Sequence, residues 1–97
     1  MKLALCKGRH KFPKDCVGYI FPHAVDPTDL PRLDREVRKR FQKIPYRLDV
    51  YGTGLTVALI SVVNFCVKNN VWLVLWHYDS STGGYYPQSV CTERGMQ

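Results

Sequence analysis

Ninety-seven residues suffice for one domain around a single core and are too few for two, so the whole of 1–97 is read as one unit. A hydrophobic fraction of 45% beside a charged fraction of 23% is that of an ordinary globular protein and excludes a disordered chain. Fourteen Lys and Arg against eight Asp and Glu leave a formal charge of +6, which directs attention to anionic partners: a nucleotide, a nucleic acid, an acidic protein surface or a membrane face.

In chain order, Lys2 to Cys6 reads as a short buried strand, because its apolar run stops far short of a signal-peptide core. The polar connection Lys7 to Cys16 is longer than a tight hairpin needs and just long enough for a crossover between parallel strands, which leaves the pairing direction open. Val17 to Phe21 is the second strand. From Asp26 a helix is announced, with Asp29 as its cap, Pro31 in the first turn, and Leu30, Leu33, Val37, Phe41 and Ile44 at helical spacing until Pro45 stops it. Its other faces carry Arg32, Arg35, Arg38, Lys39, Arg40 and Lys43 against Asp34 and Glu36. This basic helix, 32–43, is either a solvated face or a surface for nucleic acid or an acidic protein.

Arg47 to Tyr51 is the third strand, Leu55 to about Lys68 the second helix and Val71 to His77 the fourth strand. The second helix is apolar nearly all round, as expected of one that lies across a sheet and is covered again by another element or a partner. Trp72 and Trp76 share strand parity with Val74 and pack on one face, in a core or at a dimer edge. After the turn Tyr78 to Gly84, the run Tyr85 to Val90 returns antiparallel, and Pro87 assigns it to an edge. Cys91 to Gln97 carries no structural signal and is read as a mobile tail. The expected fold is α/β: a small Rossmann-like domain whose sheet of four or five strands is mostly parallel, with two main helices and an antiparallel C-terminal edge strand.

No apolar run approaches the ~20 residues needed to span a bilayer, so no membrane segment is expected. Cys6, Cys16, Cys66 and Cys91 are far apart, without zinc spacing; they read as free thiols of a reduced, cytoplasmic protein, with no metal site.

The candidate site begins at Gly52-Thr53-Gly54-Leu55-Thr56, where a strand passes through two glycines into a helix. The first amides of a helix lack internal partners and sit at the positive end of its dipole, which favours an anionic group. The segment is neither a P-loop nor a dinucleotide fingerprint, so no cofactor is expected. The plainer reading is a sharp turn with Thr53 or Thr56 as cap. If the first strand lies beside the third, three loops meet at the carboxyl end of the sheet. They bring Lys7, Gly8, Arg9 and His10; Gly52, Thr53, Gly54 and Thr56; and His77, Tyr78 and Asp79. Cations, glycine amides, hydroxyls and an aromatic ring suit a phosphorylated, nucleotide-like ligand. For an enzyme the general acid or base would be His10 or His77, the latter oriented by Asp79, acting as a metal-independent phosphodiesterase. Without a convincing catalytic set, binding is the preferred reading.

The stretch Leu48-Asp49-Val50-Tyr51, the loop Gly52-Thr53-Gly54-Leu55-Thr56 and the helix after it resemble the ligand-binding core of CRISPR-associated Rossmann-fold sensors and small ring nucleases. The resemblance covers about half of the chain, Arg47 to His77 plus the first loop, and departs in length and in lacking an effector domain. It implies a cyclic oligonucleotide ligand held across the axis of a homodimer, captured or cleaved, as in an anti-defence protein of a phage or mobile element.

Overall fold

The computed structural model describes residues 1–7, 11–22, 25–52 and 54–90. The elements are β1 (Lys2–Cys6), β2 (Cys16–Phe21), α1 (Leu30–Arg40), β3 (Arg47–Tyr51), α2 (Thr56–Lys68), β4 (Trp72–Asp79) and β5 (Gly84–Ser89). All five strands join one sheet in the order β2-β1-β3-β4-β5, parallel throughout except for the antiparallel pair β4 and β5. This is the mostly parallel, Rossmann-like α/β domain expected from the sequence, and it settles β2 as parallel to β1.

Strand alternation sorts the side chains onto two unlike faces. Leu3, Leu5, Leu48, Val50, Leu73 and Leu75 point one way and are buried beneath Leu33 and Val37 of α1 and Ala58, Val62 and Cys66 of α2. Stacking of Phe41 on Phe65, with ring centroids 5.6 Å apart, ties the two helices together. The apolar character of α2 is thereby explained, since it meets the sheet on one side and α1 on another. Ile60 and Val67 still remain 51% and 56% exposed.

Both helices therefore lie on one face, whereas the connection from β1 to β2 runs over the other. There Phe12 sits 5.7 Å from the ring of Tyr51, and Asp15 bonds Lys2 at 2.8 Å. Steps to the left over one face and to the right over the opposite face have the same hand, as parallel crossovers require. In this case the leftward step contains no helix among the described residues, and Phe12 to Asp15 lie over the second face.

Local chemistry sets the element ends. Asp29 caps α1 through Oδ1, which accepts from the Arg32 amide at 3.2 Å. The helix ends at Arg40, a turn earlier than Pro45 suggests. Ile44 precedes that proline and is steered away from helical dihedrals, while burial of Phe41 against Phe65 fixes the exit. At α2 the N-cap is Leu55, with no side-chain capping bond, so the cap expected from Thr56 does not form. β4 continues two residues beyond His77, to Asp79, because β5 pairs with it up to Asp79 and Gly84. The expected tail, Cys91 to Gln97, lies outside the described residues. Among those described, no helix is long and apolar enough to cross a membrane.

Candidate functional site on the open sheet face

Strands β1 and β3 are adjacent and parallel, and the chain leaves them in opposite directions, so the winding reverses between Lys7 and Gly52. Parallel sheets bind ligands at such a point. Lys7 is exposed there; its amide donates to Phe21 O at 2.8 Å and its ammonium lies 5.6 Å from the centre of the Tyr19 ring. The Gly52 amide is not free for a ligand, because it donates to Trp76 O at 3.1 Å and extends the β3–β4 ladder. Gly54 adopts φ +88°, and a Cβ placed there would meet nothing within 4 Å, so glycine is required for the backbone conformation rather than for space. Thr56 is exposed in the first turn of α2. Gly8, Arg9, His10 and Thr53 lie outside the described residues.

The loop after β4 does not deliver its residues together. His77 shares the helix-covered face with Leu73 and Leu75, sets Nε2 2.8 Å from Gln88 Oε1 and packs 5.3 Å from the Tyr86 ring. Asp79 does not orient it. The Asp79 carboxylate instead accepts from the amide and hydroxyl of Ser81 at 2.9 and 2.6 Å, bonds that hold its pKa below the ordinary carboxylate range. Tyr78 points to the opposite, open face.

That open face holds what the loop-based reading missed. Its inward rows are Lys2 on β1; Arg47, Asp49 and Tyr51 on β3; Trp72, Trp76 and Tyr78 on β4; and Tyr85 and Ser89 on β5, with register pairing Tyr51 to Trp76 and Tyr78 to Tyr85. Together with Lys11 and Phe12 of the crossing segment, Lys2, Tyr51, Trp76, Tyr78 and Tyr85 line a cleft of about 630 Å³. The rings form a chain: Tyr85 meets Tyr51 edge-on at 4.8 Å and Tyr78 at 5.5 Å, with Phe12 at 6.5 Å. A second cavity of about 300 Å³ lies beyond Phe12 and Pro13, toward Lys7 and Cys16.

Two polar networks fix these rings. Asp15 accepts from Lys2 at 2.8 Å and from the Tyr51 hydroxyl at 2.7 Å, and these partners hold its carboxyl below the usual range. Burial, reinforced by that carboxylate, pushes the Tyr51 phenol well above its ordinary value, so it stays neutral. Buried Asp49 accepts a two-pronged bond from Arg47 at 2.9 and 3.1 Å and one from the Trp76 indole N–H at 3.1 Å. Lys2 and Arg47 then lie over Trp76 and Trp72, 4.4 and 4.3 Å from the ring centres. The missed signal was the alternation in Arg47-Leu48-Asp49-Val50-Tyr51, which puts polar and aromatic residues at one parity and aliphatic ones at the other, and in Trp72 to Tyr78, where Trp72, Trp76 and Tyr78 share one parity with Val74.

Cys6, Cys16 and Cys66 are free thiols, and Cys91 lies outside the described residues. Among the described residues no three His, Cys, Asp or Glu side chains gather as metal ligands. No family model matches the chain, and no curated protein or solved structure matches it either.

Proposed function

We propose that this chain is a binding module that captures an anionic, nucleotide-derived ligand, such as a cyclic oligonucleotide, in the cleft on the open sheet face. The observation that carries this reading is the meeting of Tyr78, Tyr85 and Phe12 with Lys2 and Lys11 around one cavity on the open face of the sheet. A base stacked on such a ring gains about 1–3 kcal/mol. Lys11 makes no ion pair with a described residue, which leaves its ammonium to a phosphate. The formal charge of +6 supports the same class of ligand. Cleavage of the ligand has less support: His77 is bonded to Gln88 on the other face of the sheet, and Tyr51 is held neutral beside Asp15.

Tryptophan fluorescence titration and thermal shift with AMP, cyclic tri- and tetra-adenylate test the reading. A ligand that binds the native state raises the melting temperature, and Tyr78→Ala with Lys11→Ala weakens binding by roughly ten-fold or more. Absence of any response at millimolar concentration, or unchanged affinity in the double variant, overturns it. Recovery of intact cyclic ligand after incubation separates a binder from a phosphodiesterase.

A further inference from the structure

On the far side of the sheet from the cleft, α1 and α2 leave a groove of about 400 Å³ between them. Its floor is the stacked pair Phe41 and Phe65, and Phe41 is only 3% exposed. Its rim includes Ile44, which the early end of α1 leaves 50% exposed. Arg38 on α1 and Lys68 on α2 stand along the lining, and neither makes an ion pair with a described residue. Among the described residues Asp34 is the only carboxylate lining the groove. It thus combines an apolar floor with two uncommitted cations on opposite walls.

Each kind of occupant can be weighed against that combination. A second copy of the chain would bring its own α1 and following turn, where six basic side chains face only two acidic ones, and the like charges would repel. A single-stranded nucleic acid needs several open ring faces and a run of cations, whereas this groove has one partly exposed ring, Phe65, above buried Phe41, and two cations. An acidic peptide meets both requirements, since an apolar side chain covers the floor and carboxylates reach the walls.

We infer that the groove between α1 and α2 docks a short acidic peptide segment with a bulky apolar anchor, the anchor lying on Phe65 and Ile44 and the carboxylates on Arg38 and Lys68. This partner site is independent of the nucleotide cleft. The probe is a fluorescein-labelled peptide of Asp and Glu around a central Leu-Phe pair, followed by anisotropy. Two comparison peptides carry Gly-Ser in place of Leu-Phe, or Lys in place of the acids.

The acidic Leu-Phe peptide is expected to bind, and Arg38→Glu with Lys68→Glu to weaken it by roughly ten-fold or more. Ile44→Ser, which removes no charge, should weaken it as well. Melting curves of both variants confirm that the fold is intact, and if the charge-reversed protein is unfolded, Ile44→Ser alone decides. The inference is overturned if the acidic Leu-Phe peptide does not bind. It is equally overturned if the Gly-Ser or Lys peptide binds as tightly, or if a folded variant keeps full affinity.

Discussion

Asp49 is the residue whose removal reports most directly on how the open face is held together. Its side chain is 6% exposed and accepts three hydrogen bonds, two from Arg47 and one from the Trp76 indole. Hydrogen bonds to charged groups contribute about 1.5–3 kcal/mol each, but Arg47 is 41% exposed and returns largely to water when its partner is lost, so its share is heavily discounted. The main cost of Asp49→Ala is the stranded indole N–H of half-buried Trp76 and the small void beside it, together about 2 kcal/mol. Asp49→Asn keeps an acceptor for Trp76 and gives up only the ion pair, for about 1 kcal/mol. With a urea slope of about 2 kcal/mol per molar, the midpoint should fall by about 1 M for Ala and about 0.5 M for Asn. Equilibrium unfolding followed by circular dichroism and tryptophan emission measures both. A midpoint for Asp49→Ala within about 0.2 M of the wild type would refute the argument, and identical losses for Ala and Asn would refute the share given to Trp76.

Two further outcomes follow from the backbone and the thiols. Gly54→Ala meets no steric obstacle, so its cost is that of φ +88° for a residue with a Cβ, about 1 kcal/mol. For a domain of this size that lowers the melting temperature by about 4–8 °C, whereas an unchanged value would mean that the turn does not need glycine. Burial pushes the Cys66 thiol up to about 12, so at pH 8 in the native protein it stays protonated and inert to Ellman's reagent, while half-buried Cys16 reacts ahead of buried Cys6 and Cys66. In denaturant without reductant all four thiols should titrate, and a lower count would reveal a disulfide.

The unit from Arg47 to His77 was legible because strand, glycine turn, apolar helix and strand each had the right length and order, and chain connectivity then made the two strands parallel. Asp29 and Pro31 likewise announced the start of α1 through local chemistry alone. The end of α1 was not legible: Phe41 and Ile44 have the same helical spacing, and only the position of Phe65 on another helix decides which is buried. The role of Gly52 was hidden for a similar reason, since its amide partner, Trp76 O, lies on a strand that no local pattern connects to it. The cleft was legible only in part. The parity of Trp72 and Trp76 put them on one face, but that no helix among the described residues covers that face depends on tertiary placement, with Phe12 to Asp15 lying over it.

The placement of β1 also sets the order in which the sheet can assemble. Asp79 and Gly84 close the β4–β5 hairpin across a turn of four residues, whereas Lys2 must find Asp49, across nearly half of the chain. Loop-closure entropy makes the hairpin and each helix cheap to form, and the pairing of β1 with β3 expensive. On the ribosome the strand Leu3-Ala4-Leu5-Cys6 is made before β2 and β3, so its second neighbour does not exist until β3 has been made. For that interval the edge of β1 that will meet β3 is unpaired, the condition in which a strand is most prone to associate with other chains.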